Sequence, residues 1–213
     1  MKPRAGILVH HPECSIQSAT GIYEALGKDF KTQFFHNNEI SDKFLKKFDL
    51  IVFPGGIGDA DSYDRILKPY EDSVKNYVVK GGSYLGVCMG AYWAGHHYFD
   101  ILDGVKAVQY IKRPRSDVKR SFGTTARITW EGQKHDMFFY DGCSLIGKES
   151  KFQIIARYFN NDPMAIIQDR IGVIGCHPES MPSWYNKKFI QDRWHKYEHH
   201  RLLLNFTKIL INQ

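Results

Sequence analysis

The apolar positions of the first hundred residues alternate between two rhythms. "AGILVH" is a short continuous apolar run and reads as a buried strand, and "SIQSATGIYEALGK" after it spaces Ile16, Ala19, Ile22, Tyr23 and Leu26 for one helical face. Gly27 is placed to end that helix. "TQFFH" and "DLIVFPGG" read as two further strands, the second unbroken in its apolar character, as a parallel strand covered on both faces requires. Ile66, Tyr70, Val74, Tyr77 and Val78 mark a helical face between Tyr63 and Lys80, and Pro69 predicts a bend or a start within it. Gly81 and Gly82 then release the chain into the strand "SYLGV".

After Asp100 the rhythm changes. "KAVQYI", "TTARITW", "HDMFFY", "FQIIARYF" and "MAIIQ" are short extended runs, with turn signals at Glu131-Gly132 and Asn160-Asn161-Asp162-Pro163, and are expected as antiparallel additions. "IGVIGCHPES" reads as one more buried strand ending in polar residues, and a helix from about Ser183 to Ile211 is expected to close the chain. The pattern predicts a doubly wound α/β fold, a mostly parallel sheet with antiparallel additions and a C-terminal helix, whose ligand site lies beyond the carboxyl ends of the strands. With 213 residues and no evident linker, repeat or low-complexity tract, a single domain spanning 1–213 is expected.

Composition narrows the function classes. At 43% apolar and 24% charged residues the chain is an ordinary globular sequence rather than a disordered one. A net charge of +6 raises the question of nucleic acid, but the densest basic run, "IKRPRSDVKR", comes with no helix-turn-helix, zinc-finger or RNA-binding signature. That run reads as a solvated loop or a contact for an anionic ligand or partner, and no nucleic-acid partner is expected. Cys14, Cys88, Cys143 and Cys176 form no C-x-x-C pair, so neither a zinc site nor a disulfide framework is indicated, and reduced thiols fit a cytoplasmic protein. "AGILV" is too short for a signal-peptide core, and no run approaches the ~20 apolar residues of a membrane span. His10 and His11 point to opposite faces at a strand end, so with Cys14 they make no ligand set, and neither a metal nor a cofactor is expected.

The chemistry centres on "GSYLGVCMGAYWAG". Cys88 is either a small buried hydrophobe or a nucleophile, and the second role needs a thiolate, access and a histidine partner. Gly86 and Gly90 would allow a tight strand-to-helix turn that presents the side chain, and the following helix N-terminus would stabilise a thiolate and an oxyanion. In "CHPES", His177 stands at a predicted strand end with Glu179 two residues on, close enough to fix the imidazole tautomer. "FPGGIGD" leaves the Gly55 and Gly56 amides unshielded where an oxyanion could form. Asp59, Asp61 and Arg113 read as solvated loop residues or as contacts at the mouth of such a site. Trp184, Tyr185, Trp194 and Tyr197 are expected to pack the last helix, with His195, His199 and His200 at its surface.

P-G-G, then G-x-C-x-G about thirty residues later, then H-P-E near the carboxyl end resembles the class I glutamine amidotransferase-like superfamily. Within it, "GGSYLGVCMGAYWAG" is most similar to the group related to the amino-terminal domain of eukaryotic biotin-protein ligase, and the resemblance spans roughly residues 5 to 185. It implies a flavodoxin-like sheet, Cys88 as nucleophile, His177 as base, Glu179 as orienting acid, Gly56 and Met89 as amide donors to the oxyanion, and Gly55 and Tyr92 beside the substrate. The implied substrate is a small-molecule amide or acyl compound that passes through a thioester. No synthetase domain accompanies the motif, so ammonia made here would need a separate synthetase or acceptor subunit.

Two departures bear on that substrate. Tyr92 stands where glutamine-hydrolysing members carry glutamine, and the P-G-G-P-G loop is replaced by "PGGIGD", so free glutamine alone is not the expected substrate. Two other readings stay open: a non-catalytic binding or regulatory module on the same fold, and similarity to the DJ-1 and PfpI proteins, where an acid from the first strand partners the cysteine, with Glu13 close to that region here.

Overall fold

A computed structural model describes residues 1–56 and 60–213. Its first half runs β1 (Arg4–Leu8), α1 (Ile16–Leu26), β2 (Lys31–Phe35), α2 (Asp42–Leu45), β3 (Leu50–Phe53), α3 (Ala60–Ile66), α4 (Glu71–Val79), β4 (Ser83–Val87) and α5 (Met89–Trp93). Ser15 caps α1 by accepting the Ser18 amide at 3.2 Å, and Gly27 follows its last residue, as its sequence predicts. The helical face expected between Tyr63 and Lys80 is divided: Pro69 sits in a 3₁₀ turn, Lys68–Tyr70, that separates α3 from α4.

The second half supplies β5 (Val105–Gln109), β6 (Thr124–Trp130), β7 (Gln133–Phe139), β8 (Cys143–Gly147), β9 (Gln153–Tyr158), β10 (Pro163–Gln168), β11 (Ile171–Ile174) and α6 (Glu198–Ile211). A nine-stranded sheet has the order β2-β1-β3-β4-β11-β10-β9-β6-β7. The run from β2 to β11 is parallel throughout, and β10, β9, β6 and β7 add to it antiparallel. This is the doubly wound, flavodoxin-like order with an antiparallel extension, its switch point between β1 and β3. Glu131 and Gly132 both take positive φ, 46° and 84°, which suits the right-handed twist of the β6–β7 hairpin.

Period-two alternation along the central strands sends neighbouring side chains into two cores. Ala5, Ile7, Leu50, Val52, Leu85 and Val87 face α1 and α6, packing with Ile22, Leu203 and Phe206. Leu8, Ile51, Phe53 and Tyr84 face the other layer, where Tyr63, Val74 and Trp93 cover them. Ile16 and Tyr23, expected on the buried face of α1, are exposed instead, with Tyr23 stacked on Phe34. The buried stripe of α1 is carried by Ser18, Ala19, Ile22, Ala25 and Leu26.

Two elements depart from the sequence pattern. Cys143–Gly147 is a strand that the apolar periodicity does not announce, and it pairs with β5 in a separate two-stranded ribbon rather than in the main sheet. The closing helix begins at Glu198, not near Ser183. Residues 182–197 instead form 3₁₀ turns at Pro182–Tyr185 and Gln191–Arg193, and Lys196 and Tyr197 take φ of 47° and 66°, a left-handed stop that a right-handed helix cannot pass through. Aromatic spacing in this segment serves a small cluster of Phe138, Tyr185 and Ile190, with Trp184 and Trp194 against it, not a helix face.

Candidate active site

The carboxyl ends of adjacent parallel strands bring the chemically capable residues together. Cys88 follows β4 directly, His177 lies three residues beyond β11, and Val87 and Ile174 are register partners of those two strands. Gly55 and Gly56 follow β3 on the other side of β4. Residues distant in sequence therefore meet because parallel neighbours end at one edge.

Cys88 has φ 50° and ψ −101°, an uncommon conformation for a residue with a Cβ, held where β4 turns into α5. Its amide is fixed to the Ile174 carbonyl at 2.8 Å. The turn closes so tightly that a Cβ on Gly86 would lie 2.3 Å from the Gly90 carbonyl oxygen, and one on Gly90 would lie 2.1 Å from that of Phe53. The geometry is that of a sharp strand-to-helix turn with Cys88 at its apex. The thiol is buried, 4% exposed, and lies 3.5 Å from the Tyr140 carbonyl oxygen, to which it can donate.

The His177 ring feels the charge of Cys88, and its Nδ1 lies 2.9 Å from Glu179 Oε1. A carboxylate can only accept, so Nδ1 carries the proton and Nε2 is the nitrogen left for the sulfur. Burial pushes the imidazole pKa down, but the Cys88 and Glu179 charges and the hydrogen bond to Glu179 outweigh it and lift the ring to about 10. The ring is flanked by Phe138 and Trp184, and a Cβ on Gly55 would lie 2.5 Å from His177 Cε1, so only glycine admits the imidazole there.

Glu179 is fully buried and is held at both ends. Ser18 Oγ donates to Oε1 at 2.6 Å while accepting the Gly55 amide at 2.9 Å. His200 Nε2 lies 3.1 Å from the carbonyl oxygens of both Glu179 and Ser180. Glu179 Oε2 is buried with no hydrogen-bond partner among the described residues, so among them Oε1 carries the polar engagement of the carboxylate. Sequence reasoning missed Ser18 and His200. Their signal was a polar side chain at the helical spacing of an apolar stripe: Ser18 with Ile22 and Ala25, His200 with Leu203 and Thr207.

A pocket of about 290 Å³ opens onto His177, Gly55 and Gly56, with Phe138, Tyr140 and Trp184 as aromatic walls. Cys88 and Met89 are not among its lining residues; Met89 is the first residue of α5. Tyr92, expected beside the substrate, does not line it either: its hydroxyl donates to the Asp141 carbonyl at 3.3 Å. Glu13 is engaged by His10 and Arg65, at 2.8 Å and 2.5 Å. Arg113 is paired with Asp162 at 2.7 Å and lies outside this pocket, as does Asp61 at the start of α3, while Asp59 lies outside the described residues. Trp184 and Tyr185 pack on Phe138 rather than on α6, and His199 and His200 are buried rather than superficial. Among the described residues no cluster of three or more His, Cys, Asp or Glu is arranged to hold a metal, and no helix is long and apolar enough to cross a membrane.

Residues 11–109 match the family described as biotin-protein ligase, N terminal. No curated protein matches the chain. Among solved structures, a glutamine amidotransferase from Thermotoga maritima superposes with a TM-score of 0.70 at 10% identity, covering 100% of both chains. A chain of the PurLQS structure from Thermotoga maritima gives 0.64 at 17% identity, over 95% of this chain and 99% of that one. A putative GMP synthase subunit from Thermoplasma acidophilum gives 0.60 at 13% identity, over 100% and 99%. The chain has the fold of these glutamine amidotransferase structures, and the match over residues 11–109 agrees with the resemblance to the biotin-protein ligase amino-terminal group that the motifs carry.

Proposed function

We propose that the chain is a cysteine-dependent amidotransferase-like hydrolase in which Cys88 is the nucleophile, His177 the base and acid, and Glu179 the group that orients His177. The observation that carries this reading is the strained Cys88 turn at the end of β4, beside the end of β11 that leads into His177, with Glu179 hydrogen-bonded to the imidazole. The thiol proton passes to His177, and the sulfur attacks the amide carbonyl carbon. The resulting oxyanion is received by the amides of Gly56 and Met89. Collapse breaks the C–N bond, and the nitrogen leaves as ammonia with the proton from His177. Water then gives a proton to His177 and attacks the thioester; the carboxylic acid departs and the thiol is restored.

The released ammonia would serve a separate synthetase or acceptor protein, a proposal that follows the names of relatives such as the PurLQS chain and the GMP synthase subunit. The whole chain would act as one domain, and its four free thiols suit a reducing cytoplasm.

A second reading, a binding module that keeps the fold without the chemistry, draws on two facts: the thiol is buried against Tyr140, and Cys88 does not line the pocket. Incubation with a panel of amides, glutamine included, separates the two. The hydrolase reading expects an acyl adduct on Cys88 by mass spectrometry and ammonia release that is lost in Cys88→Ala. Binding without any Cys88-dependent release would establish the module instead.

A further inference from the structure

The pocket beside His177 has a one-sided chemistry. Phe138, Tyr140 and Trp184 wall it, Gln17 and Ser183 add neutral polar groups, and the only charged side chain that lines it among the described residues, apart from the imidazole of His177, is Lys187. An α-amino acid brings an ammonium that needs a counter-charge when it leaves water. Here it would meet Lys187 instead. Aromatic faces can seat an ammonium by cation–π contact, but a lysine on the same rim repels it.

Lys187 itself is exposed, with its ammonium 5.9 Å from the Phe189 ring centre, and no ion pair among the described residues engages it. A single lysine matches a single negative charge, so a carboxylate suits it better than a phosphate dianion. The walls are fixed by their own packing: Trp184 meets Phe138 edge-on at 5.0 Å and His177 edge-on at 5.3 Å. Such rings reward a flat π-system over a flexible aliphatic chain. At about 290 Å³ the pocket lies at the small end of ligand sites, which run roughly 300–1,000 Å³ and favour one ring over a nucleotide.

We infer that, given the hydrolase reading above, the substrate is an aromatic carboxamide bearing a carboxylate and no α-ammonium, its ring against the wall that Phe138 and Trp184 form, its carboxylate on Lys187 and its amide toward His177. Chemistry at that amide follows the thioester sequence already given and yields ammonia and an aromatic dicarboxylate.

The test measures binding to Cys88→Ala protein by calorimetry, so that affinity is read apart from turnover. The probes are 4-carbamoylbenzoate and 3-carbamoylbenzoate, benzamide, 4-(aminomethyl)benzamide, and glutamine. At least one carbamoylbenzoate should bind ten-fold or more tightly than benzamide, the cationic amide and glutamine, and Lys187→Glu should erase that preference. Lys187 is exposed, and near-ultraviolet circular dichroism would verify that the variant keeps its tertiary packing. Tightest binding by glutamine, a carboxylate preference untouched by Lys187→Glu, or no binding of either carbamoylbenzoate would overturn the inference. A carbamoylbenzoate that binds as expected but yields no Cys88-dependent ammonia in the unmutated protein would overturn the hydrolase reading and leave the ligand class standing.

Discussion

Ser18 Oγ lies 2.6 Å from Glu179 Oε1 and receives the Gly55 amide at 2.9 Å, so one hydroxyl ties helix α1 to both the carboxylate behind His177 and the glycine loop beside it. Ser18→Ala would leave a buried carboxylate with the imidazole as its remaining partner and strand a buried backbone amide. The expected cost is about 1–3 kcal/mol of stability, read from denaturant midpoints. A positioning role also predicts a changed pH profile of Cys88 alkylation. An unaltered profile alongside a loss of stability would confine Ser18 to a structural part.

Cys88 should be alkylated by iodoacetamide at neutral pH well ahead of the other three cysteines. Burial first, and then the Glu13 charge, push the Cys14 thiol up to about 12; burial likewise raises Cys143 and Cys176. His177→Ala should slow labelling of Cys88 by ten-fold or more, because the sulfur loses the group that takes its proton. Peptide mapping after partial alkylation checks both points, and uniform labelling of all four would contradict the arrangement.

Stability should fall on mild acidification. Burial, with help from neighbouring imidazoles, lowers His195 to about 3 and His199 to about 2. Unfolded histidine titrates near ~6.5, so between these values the unfolded chain binds more protons than the folded one. This contribution is complete above about 6.5 and is lost as pH drops toward 3. At pH 5 each ring costs of order 2 kcal/mol relative to pH 7.5. Urea midpoints at the two pH values measure the loss, and His199→Asn should flatten it.

Gly90→Ala should be among the most damaging single-methyl additions in the chain. Its Cβ would sit 2.1 Å from the Phe53 carbonyl oxygen, a backbone atom that cannot swing aside. A loss of about 3 kcal/mol or more is expected, at the upper end of overpacking costs. By contrast, a Cβ on Gly95 meets nothing closer than 3.1 Å, so Gly95→Ala serves as the mild control in the same thermal melts.

Ammonia release from glutamine alone should be weak or absent. Tyr92 replaces the glutamine of glutamine-hydrolysing relatives, and its hydroxyl is spent on the Asp141 carbonyl rather than offered to a ligand. A site lacking paired donors and acceptors for a substrate's polar groups discriminates against that substrate. A coupled ammonia assay with the Cys88→Ala control decides it; fast Cys88-dependent release would restore glutamine as the substrate.

What the sequence determined by itself is local and periodic. Continuous apolar runs at "LIVF" and "SYLGV" read as strands, the spacing of Ile16, Ala19, Ile22, Tyr23 and Leu26 reads as a helix face although Ile16 and Tyr23 lie exposed, and the glycines around Cys88 mark a sharp turn. Periodicity failed where packing across the chain, not local preference, set the conformation. Residues 182–197 look helical by aromatic spacing, yet Trp184 and Tyr185 turn onto Phe138, and Cys143–Gly147 becomes a strand because β5 is there to pair with it. The tertiary structure alone decided the neighbours of Glu179: Ser18 is 161 residues away in the chain, and His200 reaches back from α6. The helical spacing marks Ser18 and His200 as polar positions within apolar stripes, but it cannot say which distant residue each one meets. Only the parallel ends of β1, β3, β4 and β11 at one edge of the sheet bring them into reach.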